Sequence, residues 1–186
     1  MTSRCSIQDS MITGSKIKLR NRKLADARDE YIWRTDPELA RLDATSLLTI
    51  SLPQYQSAYA GELCYPTSTK REFAIETLDG KHIGNCIYYD INESKGEAEL
   101  GIIIGNRDYQ DKGYGTDAVT TLVNHIFRQT NLKRIYLKTL DWNTRAQKCF
   151  KKCGFTEYGH LARDGFSFLL MEIYHKQWQE RQIETQ

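Results

Sequence analysis

The sequence predicts a mixed α/β domain, in the α/β or α+β class: a mixed, mostly antiparallel central sheet with helices on both faces. Three observations predict it. Residues 72–105 carry three β-like runs joined by short polar turns, the pattern of a meander. Residues 113–130 put Ala118, Val119, Leu122, Val123, Ile126 and Phe127 on one helical face. From residue 97 onward, strand-like and helix-like segments alternate.

The elements follow in chain order. Residues 1–15 have no periodicity and read as a flexible N-terminal tail. Ile17 and Leu19 alternate with Lys16, Lys18 and Arg20, a first strand. Leu24 to Trp33 reads as a helix with Leu24, Ala27, Tyr31 and Ile32 as its stripe. Asp36-Pro37-Glu38 is an N-cap with proline in the first turn, opening a short helix through Leu42. Residues 53–63 suit another helix, and 64–68 a loop. Phe73, Ile75 and Thr77 alternate with polar neighbours, and Asp79-Gly80 is a hairpin turn returning through Ile83 to Tyr89. After the polar turn Asn92 to Gly96 comes a strand from Glu97 to Gly105. Past the helix at 113–130, Arg134 to Leu140 is a strand, and Asn143 to Cys153 a helix that Gly154 can end. Phe155 to His160 and Phe166 to Tyr174 are the last strands, joined through Asp164-Gly165. Residues 178–186 read as a C-terminal tail.

Composition excludes several classes of function. The 186 residues suit one domain, and 40% hydrophobic with 27% charged residues provide a packed core. Lys plus Arg is 26 and Asp plus Glu 24, a formal charge of +2. That balance predicts no nucleic-acid partner, because neutralising phosphates needs a marked cationic excess. No run of about 18 apolar residues is present, so no membrane association is expected. The polar first sixteen residues lack a secretory signal, which predicts a cytoplasmic protein. The five cysteines (Cys5, Cys64, Cys86, Cys149, Cys153) are odd in number and irregularly spaced, so reduced thiols are favoured over a disulfide or metal framework. The four histidines have no metal-ligand spacing, and no metal is expected. Charge is uneven: residues 72–99 hold seven acidic and two basic residues, and residues 107–152 ten basic and four acidic. An acidic hairpin beside a basic half suits a cationic substrate and an anionic cofactor, although solvated faces carry such charge too.

The informative stretch is Gly101 to Thr116, which reads strand, loop, helix, with Gly113 and Gly115 at the loop–helix junction. Glycine there lets backbone N–H groups approach a ligand, and the first turn of a helix offers unpaired donors at its positive end. Such a turn binds phosphate. An ordinary strand-to-helix turn has the same look. The Walker pattern is excluded because no Gly-Lys-Ser/Thr closes the loop, and the dinucleotide fingerprint because its first glycine is missing.

Gln110-Asp111-Lys112-Gly113-Tyr114-Gly115 resembles the acetyl-CoA loop of the GNAT superfamily of N-acetyltransferases, Gln/Arg-x-x-Gly-x-Gly/Ala. The strand Ala98 to Ile104 resembles that family's central strand. Asn143-Thr144-Arg145-Ala146, followed by Phe150 to Phe155, resembles its second element, Asn-x-x-Ala…Gly-Phe. Residues 17–38 resemble the opening of the branch that holds ribosomal-protein-alanine and spermidine acetyltransferases. The resemblance spans residues 16–177 and implies a single N-acetyltransferase domain with the GNAT-like fold.

By this resemblance, the central strand and its neighbour splay apart and the pantetheine arm of acetyl-CoA lies between them. Ile102, Ile103 and Ile104 supply main-chain groups to that arm. The amides of Gln110, Asp111, Lys112, Gly113, Tyr114, Gly115 and Thr116 take the pyrophosphate. Asn143 caps its helix and touches the pantetheine. The implied reaction is direct attack of a primary amine on the thioester, the amine belonging to a protein N-terminus, a polyamine or another small acceptor. A homodimer is compatible with the resemblance.

An alkylammonium titrates near ~10 and must lose a proton before it attacks. Glu99 shares a strand face with Glu97, Gly101 and Ile103, just upstream of the thioester position, and is the candidate base, directly or through a water. A paired surface carboxylate is the plainer reading of that residue. Many family members carry a tyrosine that protonates the departing sulfur where this chain has Phe150. That departure keeps a second hypothesis open, a catalytically silent acetyl-CoA-binding sensor or scaffold. A third, weaker one is an unrelated phosphate-binding α/β domain.

Overall fold

A computed structural model describes residues 11–184. Positions 1–10 of the expected tail, with Cys5, lie outside the described residues. Among the described residues one sheet holds β1 (Ile12–Thr13), β2 (Ile17–Asn21), β3 (Arg71–Thr77), β4 (His82–Asn92), β5 (Glu97–Ile104), β6 (Arg134–Leu140), β7 (Thr156–Arg163) and β8 (Phe166–Tyr174). Their spatial order is β1-β2-β3-β4-β5-β6-β8-β7, and every neighbouring pair is antiparallel except β5 with β6. The helices are α1 (Ala27–Arg34), α2 (Pro37–Leu42), α3 (Leu52–Cys64), α4 (Tyr114–Gln129), α5 (Thr144–Lys152) and α6 (His175–Glu184). The expected mixed, mostly antiparallel sheet with helices on both faces is what forms.

Strand alternation sorts the two faces. Ile17, Leu19, Phe73, Ile75, Ala98, Leu100, Ile135 and Leu137 point to one side and form a core with Ala118, Val119, Leu122, Val123 and Ile126 of α4. Asp117, in the first turn of α4, accepts hydrogen bonds from the N–H groups of Ser15, Lys16 and Ile17. This hook turns the chain so that Ile12 pairs with Leu19, and part of the segment read as a tail is therefore strand. At the other end, the expected tail boundary falls inside α6. Trp178 donates to Asn124 Oδ1 at 2.7 Å and its ring packs 5.6 Å from that of Phe127, which docks the helix.

The opposite face carries charge under α1 and α3. Here the expected stripe of the first helix is corrected. Leu24 and Ile32 are 53% and 54% exposed, and the buried side is Ala27, Glu30 and Trp33. A glutamate is buried because its charge is met: Glu30 accepts from Tyr59 Oη at 2.6 Å and from Arg22 Nε at 3.2 Å. Arg22 also binds Glu72. Nearby, both Nη atoms of Arg20 bind Asp26 at 2.8 Å.

Asp26 is 2% exposed, so burial pushes its carboxyl up, but the hydrogen bonds from Arg20 and from the Lys23 N–H outweigh this and hold it below its usual value. A carboxyl depressed in the folded state stabilises above its unfolded value, near ~3.9, and that stability disappears as the pH falls through the folded value. Asp26→Asn is expected to cost about 1–3 kcal/mol at neutral pH, since it removes one of the two carboxylates that meet Arg20 and leaves Glu76 as the other. In chemical denaturation, the gap from wild type should close below about pH 4.

Candidate functional site

The parallel ladder between β5 and β6 is short. It covers Glu97 with Arg134, Ala98 with Ile135, and Glu99 with Tyr136, and stops there. Yet β5 continues to Ile104 and β6 to Leu140. Beyond Glu99 the two strands are not paired with each other, and a wedge opens in the middle of the sheet. Backbone polar groups in such a place need partners. Two glutamines tie off the far ends: Gln110 Nε2 donates to Ile104 O at 2.8 Å, and Gln147 Nε2 donates to Leu140 O at 3.1 Å and Asp141 O at 2.9 Å. From Gly101 to Ile103, β5 keeps its pairing with β4 but has no strand partner on the β6 side. The carbonyl of Ile104, one of the main-chain groups expected to serve the pantetheine arm, is already engaged by Gln110.

The loop at the mouth of the wedge is set by its own turns. Asn106 Oδ1 accepts from the Asp108 N–H and caps a 3-10 turn at Arg107–Tyr109. Gly113 then takes φ +84° at the N-cap of α4, a left-handed conformation that suits glycine, and no side chain caps the helix. The first-turn amides of Tyr114, Gly115 and Thr116 are thus not claimed by a cap. A Cβ on Gly115 would meet Ile104 at 3.6 Å and Cys149 Sγ at 3.9 Å, ordinary contacts, so packing alone does not demand glycine there.

Cations surround this loop. Lys16 Nζ donates to Lys112 O at 2.9 Å. Arg145 donates to Gln110 Oε1 at 2.8 Å and sits 3.5 Å from Asp111. A recess of about 300 Å³ beside it is lined by Lys16, Gly113, Thr116 and Lys152 among others. Asn143 caps α5, its Oδ1 accepting from the Ala146 N–H at 3.2 Å. Tyr109 and Tyr114 pack edge to face, with ring centroids 5.1 Å apart, and are packing residues. Phe150 is 6% exposed, belongs to the core and stands edge-on to Phe155.

Glu99 lies on the last rung before the strands part. It is 7% exposed, and its Oε1 accepts from Tyr89 Oη at 2.6 Å and from Lys138 Nζ at 2.8 Å. No hydrogen bond reaches Oε2 from the described residues, and among them no buried side-chain oxygen lacks a partner, so Oε2 reaches solvent. One oxygen is held and the other is open. Burial pushes the Tyr89 hydroxyl up, and donation to Glu99 pushes it further, so that phenol stays protonated. Tyr136 is shifted the same way, by burial and then by Glu99.

Sequence reasoning missed Tyr89, Lys138 and Arg145. The signal for Lys138 was two-residue periodicity: it follows Tyr136 on the same face of β6. The acidic hairpin is also corrected. Glu72 and Glu76 pair with Arg22 and Arg20, and Glu97 and Glu99 with Arg134 and Lys138. Among the described residues, only Asp79, Asp90 and Glu93 of that group stand outside any ion pair. No helix is long and apolar enough to cross a membrane, and no group of three or more His, Cys, Asp or Glu could hold a metal, again among the described residues.

A mixed sheet split between its one parallel pair, with a glycine-led helix at the mouth of the split, is the architecture of an acyl-CoA-dependent transferase. Residues 16–156 match the family model described as the acetyltransferase (GNAT) domain, and the chain belongs to that family. It is an acetyl-CoA-dependent N-acetyltransferase, with acetyl-CoA as cosubstrate. It is similar to the N-acetyltransferase p20 of Bacillus licheniformis, 28% identical over 80% of this chain and 83% of that protein. It is also similar to spermidine N(1)-acetyltransferase of Vibrio cholerae, 31% identical over 53% of this chain and 57% of the relative. The crystal structure of the V. cholerae spermidine N-acetyltransferase in complex with CoA and spermine superimposes with a TM-score of 0.80 at 23% identity, over 89% of this chain and 99% of that one, a likeness of fold.

Proposed function

We propose that the wedge between β5 and β6 is the acetyl-CoA site and that a polyamine is the acceptor. The observation that carries the reading is the parallel ladder ending at Glu99 and Tyr136 while both strands run on. An extended arm entering the wedge pairs with main-chain groups of the stretch Gly101 to Ile103 that lacks a partner on the β6 side, at the strand spacing of ~4.8 Å. The amides of Gly113 to Thr116, with Lys16, Lys112 and Arg145 around them, hold the pyrophosphate at the positive end of α4. Gln110 and Asn143 act chiefly by shaping the site, one by tying the end of β5 and the other by capping α5.

Glu99 is the base in this reading. Its Oε2 accepts a proton from the acceptor ammonium, while Tyr89 and Lys138 fix the carboxylate through Oε1. The amine then attacks the thioester carbonyl, and a main-chain N–H of the splayed strand donates to the oxygen as its charge grows. Phe150 supplies no proton to the sulfur. A thiol titrates near ~8.5, so the thiolate leaves adequately on its own. The polyamine assignment rests on the name of the V. cholerae relative and on Asp90, which follows Tyr89, the hydrogen-bond partner of Glu99, in β4 and stands outside any ion pair among the described residues. The cytoplasm, where thiols stay reduced, is the compartment that suits these free cysteines.

Thioester consumption measured across an amine panel tests the reading. Spermidine and spermine are expected to give kcat/KM about 10²-fold above a peptide N-terminus or a monoamine of equal pKa. Equal rates across the panel would remove the polyamine assignment. No turnover with any amine, by protein that binds coenzyme A, would overturn the catalytic roles.

A further inference from the structure

We infer that Cys149 and Cys153 form a redox modification site beside the coenzyme wedge, at which a peroxide-class oxidant closes an intrahelical disulfide that weakens coenzyme binding. The inference rests on the placement of the coenzyme proposed above. Both thiols are free and lie one turn apart on α5, Cys149 half-buried and Cys153 buried. Thr116, in the first turn of α4, touches both. Its hydroxyl donates to Cys149 Sγ at 3.4 Å, and its carbonyl accepts from Cys153 Sγ at 3.5 Å. Thr120 donates to Cys153 Sγ at 3.5 Å. Two sulfurs and two hydroxyls thus fasten α5 to the first two turns of α4.

The two thiols differ in reactivity. The neighbouring Cys153 thiol, then the Thr116 hydroxyl and the Lys152 charge, hold the Cys149 thiol below its usual value against the effect of burial. Cys153 is pushed up, by its neighbour Cys149 and by burial. Cys149 is therefore the nucleophile and Cys153 the resolving thiol. Cys86 is wholly buried, its thiol pushed up by burial, and no hydroxyl contacts its sulfur among the described residues.

The chemistry balances in two steps. The Cys149 thiolate attacks a peroxide oxygen: an S–O bond forms, the O–O bond breaks, hydroxide leaves, and sulfur is oxidised to the sulfenic acid as the peroxide is reduced. Cys153 sulfur then attacks Cys149 sulfur. An S–S bond forms, the S–O bond breaks, and the departing hydroxide takes the Cys153 proton as water. Residues four apart on a helix hold their Cβ atoms about 5–6 Å apart, whereas a disulfide needs about 3.5–4.5 Å. Closing the bond must draw the last turn of α5 inward. Cys153 is the C-cap, where the helix yields most readily. Thr116 loses its bond to Cys153 Sγ and its acceptor at Cys149, and the first turn of α4 shifts with it.

The test uses the full chain with Cys5→Ser and Cys64→Ser, so that only the α5 thiols and Cys86 remain. Hydrogen peroxide should remove two hydrogens from the 149–153 peptide by mass spectrometry. It should also weaken acetyl-CoA binding by about tenfold in calorimetry, and dithiothreitol should reverse both changes. With Cys153→Ser added, the reaction should halt at a sulfenic acid on residue 149 that dimedone traps. Oxidation at Cys86 with Cys149 still reduced, or a 149–153 disulfide that leaves affinity unchanged, would overturn the inference. Reduced protein that fails to bind acetyl-CoA at all would instead overturn the coenzyme placement beneath it.

Discussion

Gly115→Glu is expected to abolish coenzyme A binding while the protein stays folded. Gly115 lies in the first turn of α4, and a Cβ there meets only ordinary contacts, so a side chain is sterically admissible. A glutamate carries negative charge into the proposed phosphate site, beside the helix amides, Lys16 and Arg145. The loss should exceed about 10²-fold in Kd, some 2.7 kcal/mol. Gly115→Ala separates charge from space: it should bind nearly as wild type and gain about 0.5–1 kcal/mol in helix stability. Gly113→Glu acts similarly but adds strain, because φ +84° costs an ordinary residue about 1–2 kcal/mol. That variant should unfold earlier as well as bind poorly. Normal affinity in folded Gly115→Glu, by calorimetry, would show that the phosphates lie elsewhere.

The second large effect is expected at Glu99. Glutamine keeps the size of the side chain and an oxygen for Tyr89 and Lys138, but it cannot take a proton. Lys138 is 36% exposed along its side chain, so water can solvate it when the carboxylate is gone. Turnover near neutral pH should therefore fall about 10²–10⁴-fold, with acetyl-CoA affinity little changed. The deficit should shrink as pH approaches ~10, where the acceptor amine loses its proton unaided. If Glu99→Gln turned over normally at pH 7, Glu99 would be a structural partner of Tyr89 and Lys138 and nothing more.

The parts of the fold that were legible carry their signal locally. Arg134–Leu140 and Phe166–Tyr174 were read with the bounds they have, because each is a short apolar-rich run bounded by turn residues. The α4 stripe is as plain at helical spacing, and Asp36-Pro37 announced α2, where Asp36 Oδ1 accepts from the N–H groups of Glu38 and Leu39. The first helix misled because its buried side contains a glutamate. Only the fold brings Arg22 and Tyr59 to Glu30, and without them Tyr31 and Ile32 look like the better inward face. β1 and α6 went unseen for a related reason. One depends on the Asp117 carboxylate and the other on Trp178 meeting Asn124, contacts that bridge many residues of chain.

The site divides the same way. Its main-chain part was legible, since glycines at a strand–loop–helix junction imply exposed amides wherever the chain goes. Its side-chain part was not. The charges of residues 72–99 looked like an open acidic surface, but most are matched by cations from β2 and β6 that only the strand order brings alongside. The state of Glu99 likewise follows from β4 and β6 flanking β5, which puts Tyr89 on one side and Lys138 on the other.

Amide hydrogen exchange with and without acetyl-CoA tests the central claim most directly, because the proposed site holds the coenzyme mainly by backbone N–H groups. Binding should slow exchange in peptides covering residues 101–104 and 113–116, with the strands β2 and β3 unaffected. Saturating acetyl-CoA that left both segments exchanging at their free rates, or protected a different face of the sheet, would contradict it.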